Sequence, residues 1–488
     1  MTPRPVHCLF LSLALLVLSG TAGALELEDC RISADPGSPG VKARCGTMLR
    51  PENPADPESP QIELRVAVVP ALNLVPETDA FAPISGGPGQ GTIEFYTRFQ
   101  GALEGVRRNR DILLVDQRGT GESSRMDCAL DDEAILFETE FSMDDTLEFI
   151  EGCLAELPHD PRYFTTSVAV TDMEAVREAL GYTALNLYGV SYGSRVAQHF
   201  ARQYPASTRT VIIDGVVPPQ VSLGPEIATE SQKAVNRILA RCVEDAACNE
   251  RFPDIEAKFA RVVARLQAEP VTVQVPNPNT GRMEELQLGE GQFAGAVRLL
   301  IYSPNTIALL PLFIHEADAG NYVPLAAHFM LTAIAMSDTL AMGMHNSIMC
   351  TEDMPFLDPA TIDYEQIAAS YMGLFQLELL EAMCEIWPAG PIDDGFKEPV
   401  RSDIPFLLLS GDADPITPPR YAEMAAVDLS NAVHLVGKRQ GHGMAMVGCM
   451  GRIIADFVAS ADPEALETDC MERNFVTPFF LDFSGPAP

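Results

Sequence analysis

Basic residues are scarce in this chain: 33 Lys and Arg stand against 68 Asp and Glu, a net charge of −35. Such a surface repels phosphate backbones and anionic headgroups, which excludes nucleic acid and membrane as partners. Long apolar runs are missing too, and the one candidate, Leu9 to Leu18, is too short to span a bilayer. Neither Cys-x-x-Cys nor mixed Cys/His ligand spacing occurs, so no metal site is expected. No P-loop lysine follows a glycine-rich stretch, and no Gly-x-Gly-x-x-Gly opens a helix ahead of an acidic residue. No cofactor is therefore expected.

What is present begins with an export signal. Arg4 supplies a positive start, the run to Leu18 an apolar centre, and Ala22-Gly-Ala24 a small-residue cleavage site. A signal peptide over 1–24 predicts a mature protein from Leu25, secreted or periplasmic. Of 11 cysteines Cys8 leaves with the signal, and 11 − 1 = 10 remain. An even number in an exported chain predicts disulfides. Nearest neighbours pair as Cys30–Cys45, Cys128–Cys153, Cys242–Cys248, Cys350–Cys384 and Cys449–Cys470. A monomer is expected.

The chain is organised around Gly189-Val-Ser191-Tyr-Gly193, its one Gly-x-Ser-x-Gly. Apolar residues (Leu185, Leu187, Tyr188) run into it, and the helical pattern Arg195–Tyr204 runs out. A serine on so tight a strand-to-helix turn needs glycines two residues to either side. The turn lifts the hydroxyl beside the first N–H groups of the helix, where an oxyanion can be held. Ser191 is the candidate nucleophile and the Tyr192 N–H a candidate oxyanion donor. The glycine-rich turn Ser85-Gly86-Gly87-Pro88-Gly89-Gln90 ends an apolar stretch and supplies the second donor. Pro88 has no N–H, so Gly87 is preferred and Gly86 comes next.

Apolar runs at 45–54, 62–70, 111–116, 185–190, 210–217, 404–410 and 432–436 read as strands, and 168–180 as a helix. Their alternation predicts an α/β fold: a mostly parallel central sheet with helices on both faces. Between 218 and 402 helical periodicity dominates (231–246, 255–268, 291–301, 305–319, 323–336, 364–385), too long for a loop. It reads as a large helical cap inserted between the sheet portions 25–217 and 403–488. Its apolar stripes, Leu309, Leu310, Leu312 and Phe313, then Leu325, Phe329 and Leu331, are expected in the cap core. Asp116 and Arg118 are expected to brace the site loops.

The acid is sought at a late strand end. Asp414, in a proline-stiffened turn, is preferred over Asp412. Of eight histidines, only His442 follows the acid in a glycine-flanked loop after the last strand. The order Ser191, Asp414, His442 is that of α/β-hydrolases.

These motifs, with Asp116-Gln-Arg118-Gly119-Thr-Gly121 and Gly411-Asp412-Ala-Asp414-Pro-Ile-Thr417-Pro418, resemble the exported tripeptidyl-aminopeptidase-like (TAP-like) branch of the prolyl aminopeptidase family. The match in order and spacing runs along nearly the whole mature chain. The resemblance implies an α/β-hydrolase fold with a helical cap, and serine exopeptidase activity on peptides with a free N-terminus. One departure is Ser85, where cytoplasmic members carry histidine; it weakens transfer of a strict proline preference. The resemblance further implies a carboxylate clamp for the substrate ammonium. Glu352 and Asp353, in Cys350-Thr-Glu352-Asp353, match a Cys-x-Glu-Asp segment of the family's cap. The competing expectation is an esterase using the same triad, for which an amine clamp has no purpose. A catalytically dead fold would have lost a triad member, and none is lost here.

Overall fold

A computed structural model describes residues 25–34, 40–128, 143–473 and 476–486. The expected signal peptide over 1–24 lies outside the described residues. The strands in chain order are β1 (Glu28–Ile32), β2 (Val41–Pro51), β3 (Gln61–Val69), β4 (Ala80–Ile84), β5 (Ile112–Val115), β6 (Leu185–Val190), β7 (Thr208–Asp214), β8 (Val271–Pro276), β9 (Met283–Leu288), β10 (Phe406–Gly411), β11 (Ala432–Gly437), β12 (Phe480–Asp482) and β13 (Gly485–Pro486). Nine of them form one sheet in the order β1-β2-β3-β5-β4-β6-β7-β10-β11. From β5 to β11 the pairs are parallel, and β1, β2 and β3 add an antiparallel flank. The central parallel strands are buried, as strands covered on both faces must be: every residue of β4, β5, β6 and β10 is buried, whereas the edge strand β11 is mostly part-exposed.

One consequence matters for function. The parallel strands share a direction, so the chain leaves β4 at Ser85, β6 at Ser191, β10 at Asp412 and β11 at Lys438 along the same sheet edge.

Between β7 and β10 the chain leaves this sheet. Helices at Pro225–Glu244, Ile255–Ala268, Glu290–Leu300, Leu310–Asp318, Val323–Thr339 and Phe375–Ile386 surround their own apolar core. Leu310, Leu312 and Leu325 are buried there, whereas Leu331, expected with them, is exposed. The β8–β9 hairpin within this region was not expected. Nor was β1, whose sequence Glu28-Asp-Cys-Arg-Ile32 carries too little apolar content to read as a strand. The expected helix over 364–385 is two pieces, Tyr364–Ala368 and Phe375–Ile386, with Gly373 at a positive φ between them. The five expected disulfides are all formed.

Phe293 sits at the centre of the helical core, fully buried against Phe259 and Tyr371. Phe293→Ala is expected to cost ~3–5 kcal/mol of stability, read as a lower denaturant midpoint.

Candidate active site

Ser191 adopts φ 55° and ψ −128°, in the positive-φ region that side chains avoid. The neighbouring glycines make this possible. A Cβ on Gly189 would lie 2.1 Å from the Gly193 carbonyl oxygen, and one on Gly193 would lie 2.4 Å from that of Ile84. The turn is fastened by the Ser191 N–H donating to the Asp214 carbonyl (2.9 Å) and the Ser194 N–H to the Ser191 carbonyl (2.9 Å). Gly86 comes so close that a Cβ there would be 2.9 Å from the Ser191 Cβ. Tyr192 opens the following helix, so its N–H has no intrahelical acceptor. Gly86 and Gly87 line the cavity onto which Ser191 opens.

His442 lines the same cavity. Its Nδ1 lies 2.8 Å from the Asp414 Oδ2. Asp414 is buried and accepts from the N–H groups of Ile416 and Thr417 (2.9 Å each) and from the Thr417 hydroxyl (2.7 Å). Burial opposes its charge, but the imidazole and these donors outweigh that and hold its pKa below the usual carboxylate value. Burial likewise opposes a charged His442. The facing Asp414, helped by Asp214, wins and raises its pKa. Asp412 faces away and takes the Arg439 N–H.

Several residues here escaped the sequence reading. Asp214 ends β7, where the expected strand ran on to Val217. Its buried carboxylate accepts the N–H groups of Met444 (2.8 Å) and Ala445 (2.9 Å) and the Tyr188 hydroxyl (2.8 Å). Gly215 follows at φ 60°, and a Cβ there would lie 2.9 Å from the His442 Cε1. The available signal was an Asp-Gly pair closing a buried strand, the pattern that marks a turn. Tyr302, from the inserted helices, accepts the His442 N–H on its carbonyl (2.8 Å) and sets its ring edge against the imidazole.

Asp116 and Arg118 have bracing contacts. Asp116 accepts the N–H groups of Ile93 (2.9 Å) and Glu122 (3.1 Å), tying the helix after the glycine-rich loop to the next turn. Burial pushes its pKa up to about 6. Arg118 is buried against Asp172 (2.7 and 3.0 Å).

Glu352 and Asp353, expected at the substrate ammonium, are not on the cavity wall. Both are fully buried behind it on the turn Met349–Asp353. Asp353 holds the Arg195 guanidinium through both oxygens (3.0 and 2.8 Å) and also takes the Leu223 N–H (2.8 Å). Glu352 takes the N–H (2.6 Å) and hydroxyl (2.9 Å) of Thr166, and that hydroxyl meets the Tyr192 hydroxyl (2.7 Å). Burial raises Glu352 to about 7, whereas Arg195 overcomes burial and keeps Asp353 low. Arg195 belongs to the elbow helix, so the acidic pair docks the inserted segment onto it.

The cavity has a volume of about 630 Å³. Its floor carries Ser191, His442 and the Gly86–Gly87 turn. Its far wall is built from inserted residues, among them Met336, Leu340, Met349, Leu380 and Met383. No group of three or more metal-binding side chains occurs among the described residues.

A family model described as alpha/beta hydrolase fold matches residues 84–270, and one described as TAP-like protein matches 369–470. Serine protease Hip1 of Mycobacterium tuberculosis is 26% identical over 449 residues, spanning 83% of this chain and 82% of that protein. Putative hydrolase YuaR of Escherichia coli is 24% identical over 413 residues, spanning 81% of this chain and 79% of that protein. The tripeptidyl aminopeptidase of Streptomyces lividans is 26% identical over 241 residues, 45% of this chain and 44% of that protein.

Removing Asp353 takes the two-oxygen partner from the buried Arg195 guanidinium and leaves it only Glu352 as a charged partner, at 3.6 Å. Asp353→Ala is expected to lower stability by ~3–5 kcal/mol, measured by chemical denaturation. As the base of a Ser191–His442–Asp414 triad, His442 would have to be neutral for hydrolysis. With its pKa raised, the rate should climb with pH through a midpoint above about 6.5 and be lost below it. Asp414→Asn should cut kcat by ~10⁴ while leaving the fold intact by circular dichroism.

Proposed function

We propose, from the premise that this chain belongs to the α/β-hydrolase superfamily and is a serine hydrolase, that it is an exported exopeptidase acting near the free N-terminus of peptides. In this reading Ser191 Oγ attacks the scissile carbonyl while His442 takes its proton, and Asp414 fixes the imidazole tautomer and offsets its charge. The N–H groups of Tyr192 and Gly87 hold the tetrahedral oxyanion. His442 then protonates the departing amine, and water repeats the sequence on the acyl-enzyme.

The observation that carries this reading is where Ser191 and His442 lie. They share the floor of a cavity of about 630 Å³ whose far wall is the inserted helical segment. A space of that size takes a few residues at a chain end, not the middle of a folded chain. The names of the relatives, a serine protease and a tripeptidyl aminopeptidase, support peptide substrates. Five disulfides support an oxidising compartment outside the cytoplasm, and no helix among the described residues is long and apolar enough to cross a membrane.

A second reading, a general acyl esterase, draws on one specific feature. The described cavity lining contains no carboxylate, so it offers a substrate ammonium no counter-charge, and Glu352 and Asp353 are occupied elsewhere.

A matched panel separates the two: aminoacyl-, dipeptidyl- and tripeptidyl-anilides, each with and without N-acetylation, and a short acyl ester. Turnover that requires the free amine and disappears in Ser191→Ala is expected. Indifference to acetylation, or turnover of the ester alone, would refute the exopeptidase reading.

A further inference from the structure

Arg298 lies in the last turn of the inserted helix Glu290–Leu300 and lines the cavity. It is the one Lys, Arg, Asp or Glu in the described lining. In a chain with twice as many acids as bases, an arginine would readily find a carboxylate. This one has none within ion-pair distance among the described residues. Its Nη1 lies 3.4 Å from the Gln376 Oε1 and its Nη2 3.5 Å from the Tyr302 hydroxyl, both at the long limit of a hydrogen bond. Its Nε is buried with no acceptor. Arg298 is half-buried, so its Nη groups reach the cavity while its buried Nε lacks an acceptor, and a bound anion would meet these poorly used donors. Its planar fork fits a carboxylate through two parallel hydrogen bonds.

Its position indicates which part of a substrate would carry that anion. Tyr302 touches both His442 and Arg298: its carbonyl receives the His442 N–H at 2.8 Å, and its hydroxyl faces Arg298. Arg298 therefore stands on the His442 side of the cavity, and its charge opposes protonation of that imidazole. In acyl transfer by such a triad the leaving group departs on the histidine's side, because the histidine must protonate it.

We propose that Arg298 binds a carboxylate on the leaving-group portion of the substrate, making the enzyme selective for peptides that are anionic just beyond the cut. The carboxylate is either the α-carboxylate of a short peptide's last residue or an acidic side chain following the scissile bond. This deepens the exopeptidase reading and rests on it for the word peptide; the anion preference is testable without turnover.

The test uses the full mature protein and alanine tri- and tetrapeptides, each as free acid and as C-terminal amide. Amidated versions with Asp or Asn after the cut separate the two sources of carboxylate. Equilibrium binding is measured by calorimetry on Ser191→Ala, with and without Arg298→Met or Arg298→Lys. Kinetics are measured on the wild type, Arg298→Met and Arg298→Lys. Free acids, or the Asp peptides, should bind ~10–100-fold tighter than their neutral partners. Arg298→Met should abolish that preference by weakening only the charged member, raising its KM with little change in kcat, and Arg298→Lys should restore part of it. Equal affinity for acid and neutral peptides in Ser191→Ala would overturn the proposal. So would an Arg298→Met effect that falls alike on both members of each pair. If peptides bind with the expected preference but only esters are hydrolysed, the exopeptidase reading fails and the anion site stands.

Discussion

The main-chain carbonyl of Asp214 receives the Ser191 N–H, while its carboxylate receives the N–H groups of Met444 and Ala445, just past His442. A single residue at the end of β7 thus touches the serine turn on one side and the histidine loop on the other. Both attachments are buried, so neither competes with water, and each uses a backbone donor that would otherwise go unmet. A serine held at positive φ stores ~1–3 kcal/mol of strain, which persists only where the surroundings over-determine the turn. Here the Asp214 carbonyl and the backbone contact of Gly193 with Ile84 do so. Gly215 follows from the same arrangement: with Asp214 turned to both loops, the next residue passes against the imidazole and has no room for a side chain.

The inserted segment depends on a second buried contact, between Arg195 and the acidic turn that the Cys350–Cys384 disulfide anchors. Arg195 projects from the elbow helix only four residues after Ser191, so whatever holds the inserted segment also holds the helix that Ser191 opens. Lys397 joins this cluster, its Nζ 3.4 Å from the Asp353 Oδ1. Desolvating four ionisable groups is expensive, and such a cluster contributes less to net stability than to fixing one arrangement. Glu352 extends the contact through Thr166 to the Tyr192 side chain. The inserted segment and the site are therefore joined through buried side chains. Tyr302 adds a further tie from the cap, to the His442 backbone.

Local chemistry decided which parts of this could be read from sequence. The elbow was legible because its glycines are demanded by contacts one or two residues away, and the strands because burial on both faces leaves continuous apolar runs. The His442–Asp414 pairing was legible from chain order. The destination of Glu352 and Asp353 was not, because whether an acidic pair faces a ligand or a buried guanidinium depends on where Arg195 arrives from 157 positions earlier in the chain (352 − 195 = 157). Asp214 was hidden for a similar reason. Its partners, Met444 and Ala445, follow the last strand of the sheet, and nothing local to β7 announces them. The hairpin β8–β9 was missed although β8 alternates as a strand should, because the surrounding helical periodicity drew the whole stretch into one reading.

Charge in this protein is sorted by depth. Most of its acids lie outside, and Asp353, Glu352, Asp214, Asp116 and Asp414 are buried, each satisfied by named donors. The cavity wall carries methionines and leucines, a few uncharged polar groups such as Asn346, Gln376 and Thr339, and one guanidinium. Methionine side chains are flexible and polarizable, so a wall bearing Met336, Met342, Met349 and Met383 adapts to many shapes and rejects few. A misfit methylene in such a wall is worth only ~1–3 kcal/mol of discrimination. A fixed cation in the same apolar space discriminates more sharply, because a neutral group leaves its donors unmet. Selectivity in this cavity is therefore set by charge at one point more than by shape along its length, and that point lies beside the histidine.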